Sequence, residues 1–180
     1  MRPQAMKFSD WAMDNGSFAA IEADTCERLF NDAVQAPRKR SHLLLHESHS
    51  DPAQRLLVAF ARGTYIQPHC HPEQWELVVP MRGTLAMLTF STDGQVISRT
   101  ELTANSVPAL QISAGTIHTL IAVTPFALML EIKPGPFRPA QFFDSFPTEN
   151  AAGATRAAAW LLSATEGSFF ESDDSSRGQR

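Results

Sequence analysis

Between Ala19 and Val34 the apolar residues Ile21, Cys26, Leu29, Phe30, Ala33 and Val34 recur at steps of three to five. That spacing lines one face of a helix, so a short amphipathic helix is expected. It ends before Ala36-Pro37, because the residue preceding a proline is pushed out of the α region. After Pro37 the pattern changes. Apolar runs become short and are punctuated by turn residues, which predicts strands at Leu43–Leu45, Arg55–Ala61, Thr64–His71, Trp75–Val79, Leu85–Phe90, Val96–Leu102, Val107–Ile112, Ile117–Val123 and Phe126–Ile132. Ser50-Asp51-Pro52, Gly63, Arg82-Gly83, Ser113-Ala114-Gly115 and Pro125 mark the turns. Asp93-Gly94 between two β-rich runs is a strong hairpin signal. Lys133-Pro134-Gly135-Pro136 is expected to end the sheet, since prolines donate nothing to a ladder. About nine short strands with no long helix between them predict an antiparallel barrel or sandwich. The alanine-rich segment 149–163 reads as a terminal helix. Residues 1–18 read as an irregular arm, 19–163 as one domain, and the polar stretch 164–180 as a disordered tail.

Composition narrows the partners more than the fold. The chain has 180 residues, 43% hydrophobic and 19% charged, ordinary for one soluble domain. A net charge of −4 gives no long-range attraction to nucleic acid or to an anionic membrane surface. No apolar run approaches the roughly 20 residues that span a bilayer. The start, MRPQAMKFSDWAMDNG, lacks the apolar stretch of a secretory signal, so a cytoplasmic protein is expected. Cys26 and Cys70 are read as reduced thiols.

Candidate chemistry concentrates between Gly63 and Gly83, in GTYIQPHCHPEQWELVVPMRG. On a strand, His69 and His71 share a face about 6.6 Å apart along the chain. Glu76 follows five residues later. Two imidazoles and a carboxylate are the donor types that hold a divalent metal. Strand alternation turns Cys70 to the opposite face, which makes it a small packing residue rather than a ligand. The competing reading is a set of buried histidines satisfied by backbone groups.

The spacing Gly63, five residues, His69-Cys70-His71, four residues, Glu76, six residues, Gly83 resembles the first cupin motif at every position. Ser113-Ala114-Gly115-Thr116-Ile117-His118 resembles the second, with Ser113 in place of its proline. The resemblance implies a cupin (double-stranded β-helix, or jelly-roll) barrel. It further implies one divalent ion, Fe, Mn, Ni or Zn, held by His69, His71, Glu76 and His118. A narrower likeness, to the WbuC-type cupins found with O-antigen genes, rests on several segments. These are Ala36–His42, Leu45-His46, Asp51–Leu57, Gly63–His69, Gln74–Leu77 and Glu131–Phe137. It departs at Cys70 and Gln74.

For substrate binding the candidates are Arg38, His42, His46, Arg55, Tyr65 and Gln67. His42 and His46 are four apart and share a strand face, at a cavity mouth or at the surface. Arg38 and Arg55 carry guanidiniums that grip carboxylate or phosphate; a solvated basic face is the alternative. Tyr65 either stacks on a substrate or fills the core, and Gln67 is expected on the face of His69 and His71. The function so implied is a metal-binding cupin acting on, or binding, a small polar or anionic molecule in surface-polysaccharide metabolism. A metal-dependent isomerase or dioxygenase, a non-catalytic ligand-binding module and an oxygenase of another pathway are the alternatives. A homodimer is expected.

Overall fold

The computed structural model describes residues 6–7 and 20–171. In chain order the elements are β1 (Met6–Lys7), α1 (Ala23–Gln35), β2 (Arg40–Leu44), β3 (Ala53–Ala61), β4 (His69–Cys70), β5 (Glu76–Arg82) and β6 (Leu85–Phe90). They continue with β7 (Val96–Leu102), β8 (Leu110–Ile112), β9 (Ile117–Ala122), β10 (Phe126–Pro134), β11 (Gln141–Phe142) and α2 (Ala154–Ser163). One sheet has the order β1-β2-β3-β10-β5-β8, the other β11-β4-β9-β6-β7. Every pairing is antiparallel except β1 with β2. The expected barrel is two facing sheets that, among the described residues, no ladder closes into a continuous cylinder.

Period-two alternation assigns each strand two faces, and the faces sort into layers. Val58, Phe60, Val78 and Met129 of the first sheet meet Leu85, Met87, Leu120 and Ala122 of the second in the central core. The outer face of the first sheet carries Leu43, Leu57, Ala59 and Leu128, which α1 covers with Leu29, Phe30 and Ala33. The outer face of the second carries Ala86, Leu88, Phe90 and Ile121, covered by Ala157, Ala158 and Leu161 of α2. Four layers result, and what points into the central space is set by residue parity along each strand.

Several boundaries differ from expectation. The segment 64–68 is not a strand; only His69–Cys70 pairs there. Strand β10 continues to Pro134, because there it pairs with Ala53 of β3 alone, its ladder to β5 having ended at Ile132, so no donor is missed. Within the expected irregular arm, Met6–Lys7 pairs with Leu43 and Leu44; its other residues lie outside the described set. Of the tail expected to be disordered, residues 164–171 pack: Ala164 is buried, Val96 donates its N–H to the Ser168 carbonyl, and the Phe170 ring stacks on Phe146 at 5.2 Å. Residues 172–180 lie outside the described set. Among the described residues no helix is long and apolar enough to cross a membrane.

Two glycines shape the segment that bears the histidines. Gly63 turns at φ 89°, a region that side chains disfavour. Gly83 has φ 72°, and a Cβ there would lie 2.2 Å from the Phe126 carbonyl oxygen, so it is both conformationally and sterically a glycine position.

Candidate metal centre

Three strands converge on one end of the space between the sheets. His69 on β4 stands directly opposite His118 on β9. His71 lies just past β4, where the Gly115 N–H donates to its carbonyl at 2.8 Å and ties the two histidine-bearing segments together. Glu76 opens β5, on the buried parity shared with Val78. The connection between them is pinned by Gln74, whose Nε2 donates to the carbonyls of Pro134 and, at 3.1 Å, Pro136.

The ligating atoms of His69, His71 and Glu76 all lie within 4.8 Å of one another. His71 Nε2 is 3.0 Å from Glu76 Oε1, and His118 Nε2 is 3.0 Å from Glu76 Oε2. The rings of His69 and His118 have centroids 4.6 Å apart. Donors about 2.1 Å from an ion, at right angles to each other, lie about 3.0 Å apart, so these spacings suit a shared cation.

The tautomers test that fit. His69 Nδ1 donates to the Gln67 carbonyl at 3.0 Å, and His118 Nδ1 to the Thr116 carbonyl at 2.9 Å. A carbonyl only accepts, so in the neutral rings the proton sits on Nδ1 and Nε2 presents a lone pair. Burial, helped by the neighbouring His118, pushes His69 down to about 3, so its ring is neutral near pH 7. With that tautomer the His118 Nε2 lies 3.0 Å from Glu76 Oε2, the spacing of two donors to one shared cation. A backbone carbonyl satisfies one nitrogen of each of these two rings, and the other nitrogen of His118 lies against Glu76 Oε2. Burial works against ionisation of Glu76, but its close contacts with His118 and His71 and the charge of Lys133 outweigh it and hold the carboxyl well below its usual range.

Two further charged groups reach this centre and escaped the sequence reading. Lys133 Nζ lies 3.0 Å from Glu76 Oε1 and 2.9 Å from Glu131 Oε1. Both come from β10, on the face that carries Ala127 and Met129 into the core. Burial pulls the Lys133 ammonium down, yet the Glu131 and Glu76 carboxylates more than offset it and its pKa is raised. The available signal was charge at alternate positions continuing an apolar strand face.

The substrate candidates scatter. His42 faces inward on β2, opposite Val58. His46 is buried, with Nδ1 accepting the Arg55 N–H at 3.0 Å, so it fastens backbone instead of standing at the surface. Arg55 is exposed on β3 at the parity of Leu57, which turns it away from the central space. Tyr65 is buried in the layer under α2 and donates to the Pro147 carbonyl at 2.8 Å. The Gln67 side chain is buried and donates to the Phe143 and Phe146 carbonyls at 3.1 and 3.2 Å; it meets His69 through its main chain. Arg38 reaches Glu149 Oε2 at 3.3 Å, in the lining of a cavity to which His69, His71 and His118 do not contribute.

A family model described as "Domain of unknown function (DUF6016)" matches residues 21–102. No match to a curated protein is found. Among solved structures, the capsular polysaccharide assembling protein CapF from Staphylococcus aureus aligns with TM-score 0.52 and 15% identity over 60% of this chain and 30% of that one. An oxalate oxidase in complex with the substrate analogue glycolate aligns at TM-score 0.48 and 19% identity, over 59% of this chain and 56% of that one. A cupin superfamily protein from Desulfitobacterium hafniense aligns at TM-score 0.43 and 19% identity, over 53% and 76%. The chain thus spans about half of the oxalate oxidase chain and under a third of CapF. Two facing antiparallel sheets with helices outside them are the cupin architecture, and this chain has it.

Proposed function

We propose that the chain is a metal-binding cupin in which His69, His71, Glu76 and His118 hold one divalent ion. The observation that carries this is the pair of Nε2 atoms 3.0 Å from the two oxygens of Glu76, with the His118 Nδ1 proton already committed to a carbonyl. Three imidazoles and one carboxylate suit Fe, Mn, Ni or Zn. When bound, such an ion polarises an oxygen of a substrate as a Lewis acid. The chain's own groups do the rest. Lys133 holds one oxygen of Glu76 and, together with Glu131, presents a donor and an acceptor beside the ligands. His42, pushed down to about 4 by burial and by the nearby Arg40, Arg38 and Lys133 charges, is a neutral inward-facing imidazole at pH 7. A small polar molecule with hydroxyl or carboxylate oxygens matches these partners. The surface-polysaccharide setting is supported by the resemblance of Ala36–His42, Gly63–His69 and Glu131–Phe137 to the WbuC-type cupins, and by a fold neighbour named for capsular polysaccharide assembly.

Elemental analysis of freshly purified protein, beside His69→Ala, tests the reading. About one ion per chain is expected in the native protein and a large loss in the variant. Undiminished metal in His69→Ala would sink the ligand assignment. Oxygen uptake with iron loaded separates a dioxygenase from an isomerase or a binding module.

A further inference from the structure

A second site is built under helix α2. Helix α2 does not lie flat on the second sheet along its whole length: between it and the end of β9 remote from His118 there is a cavity of about 290 Å³. Its lining includes Ile121, Ala158 and Leu162 as an apolar wall and Arg38, Arg62 and Glu149 as polar groups. His118 and Ala122 are four residues apart on β9, about 13 Å along the strand, and none of the metal-centre residues lines the cavity. It is a separate place.

Its electrostatics favour a monoanion. Glu149 is engaged on both oxygens, by the buried Arg40 at 2.6 Å and by Arg38 at 3.3 Å. Arg62 is exposed, and among the described residues its guanidinium has no partner. Three arginines against one glutamate leave a formal balance of 3 − 1 = +2 around the cavity. A guanidinium with free donors takes a carboxylate bidentately. Glu149 in the lining disfavours a dianion such as a phosphate monoester, and the apolar wall asks for a hydrocarbon body. At about 30 Å³ per water-sized group, the cavity holds a ligand of about ten non-hydrogen atoms.

We infer that this cavity binds a small amphiphilic monocarboxylate, with its carboxylate on Arg62 and Arg38 and its apolar part against Ile121, Ala158 and Leu162. The inference is independent of the metal reading. The test is calorimetric titration of the full-length protein with octanoate, with n-octanol and inorganic phosphate as controls. Saturable binding of octanoate is expected, with n-octanol and phosphate each weaker by at least about tenfold. Arg62→Glu, an exposed change, should weaken octanoate by at least about tenfold. Ala159→Phe, at another exposed lining position, should abolish binding by filling the space. His118→Ala should leave it unchanged. Octanoate binding that ignores both Arg62→Glu and Ala159→Phe would overturn the proposal, as would phosphate binding more tightly, or no saturable binding by a variant-free protein that melts cooperatively.

Discussion

The ammonium of Lys133 lies 3.0 Å from Oε1 of Glu76, inside the space between the two sheets. His71 Nε2 meets that same oxygen at 3.0 Å, while His118 has the other. Lys133 thereby fixes the rotation of the carboxylate and offsets its charge, and Glu131 holds Lys133 in turn. Lys133→Met should leave the sheets intact but loosen metal binding by about 10- to 100-fold, the usual effect of losing a partner that orients a ligand. Competition against a chromogenic chelator measures it. Affinity equal to the native value would show that Glu76 is positioned without Lys133.

Removing the ion should cost the folded state. A ligand present at about 100 times its dissociation constant stabilises by about 2.7 kcal/mol, which for a domain of this size is about 5–10 °C in Tm. Chelator-treated protein should melt lower by that amount and recover on adding back Zn or Mn. Glu76→Gln, which keeps the shape and removes the charge, should melt at the same temperature with or without added metal.

Acid should destabilise the protein through His42. Its folded value, about 4, lies below the ordinary value near 6.5. Between these two the unfolded chain binds the extra proton, so stability falls as pH drops from about 6.5 towards 4 and the effect levels off below. Arg40, Arg38 and Lys133 are the charges that oppose protonation alongside burial. The full effect is at most about 3 kcal/mol. In denaturant titrations at pH 7 and pH 4.5, His42→Gln should lose less stability on acidification than the native chain; an equal loss in both would assign the acid sensitivity elsewhere.

The segment after α2 acts as a clamp. Phe170 stacks on Phe146, and its ring also meets Trp160 at 5.4 Å. Ending the chain at Ser163 should lower stability by about 2 kcal/mol, from lost apolar burial and aromatic contact. It should also shift Trp160 emission to longer wavelength as the ring gains water. Unchanged denaturant midpoint and emission would show that the clamp contributes nothing.

Much of the fold was legible because alternation and turn residues act locally. The hairpin Leu85–Phe90 with Val96–Leu102 has the boundaries its Asp93-Gly94 turn predicted. The residues brought together at the centre were legible for a different reason: His69, His71 and Glu76 are close in sequence, and His118 is the only later histidine. What was not legible depends on which strands become neighbours. Lys133 meets Glu76 only because β10 pairs with β5, and Tyr65 and Gln67 turn away because 64–68 leaves the sheet. Arg40 lies in the basic stretch Arg38-Lys39-Arg40, yet it is buried against Glu149, more than a hundred positions later.

The Nδ1 protons of His69 and His118 go to carbonyls two residues upstream on their own segments. Every amino acid at position 116 offers that same oxygen. The state of the His118 ring is therefore inherited from the course of the main chain, and Thr116 can be exchanged for almost any residue that keeps β9 extended. Sequence drift beside the histidine leaves its proton where it is; only a change that bends the strand would move it.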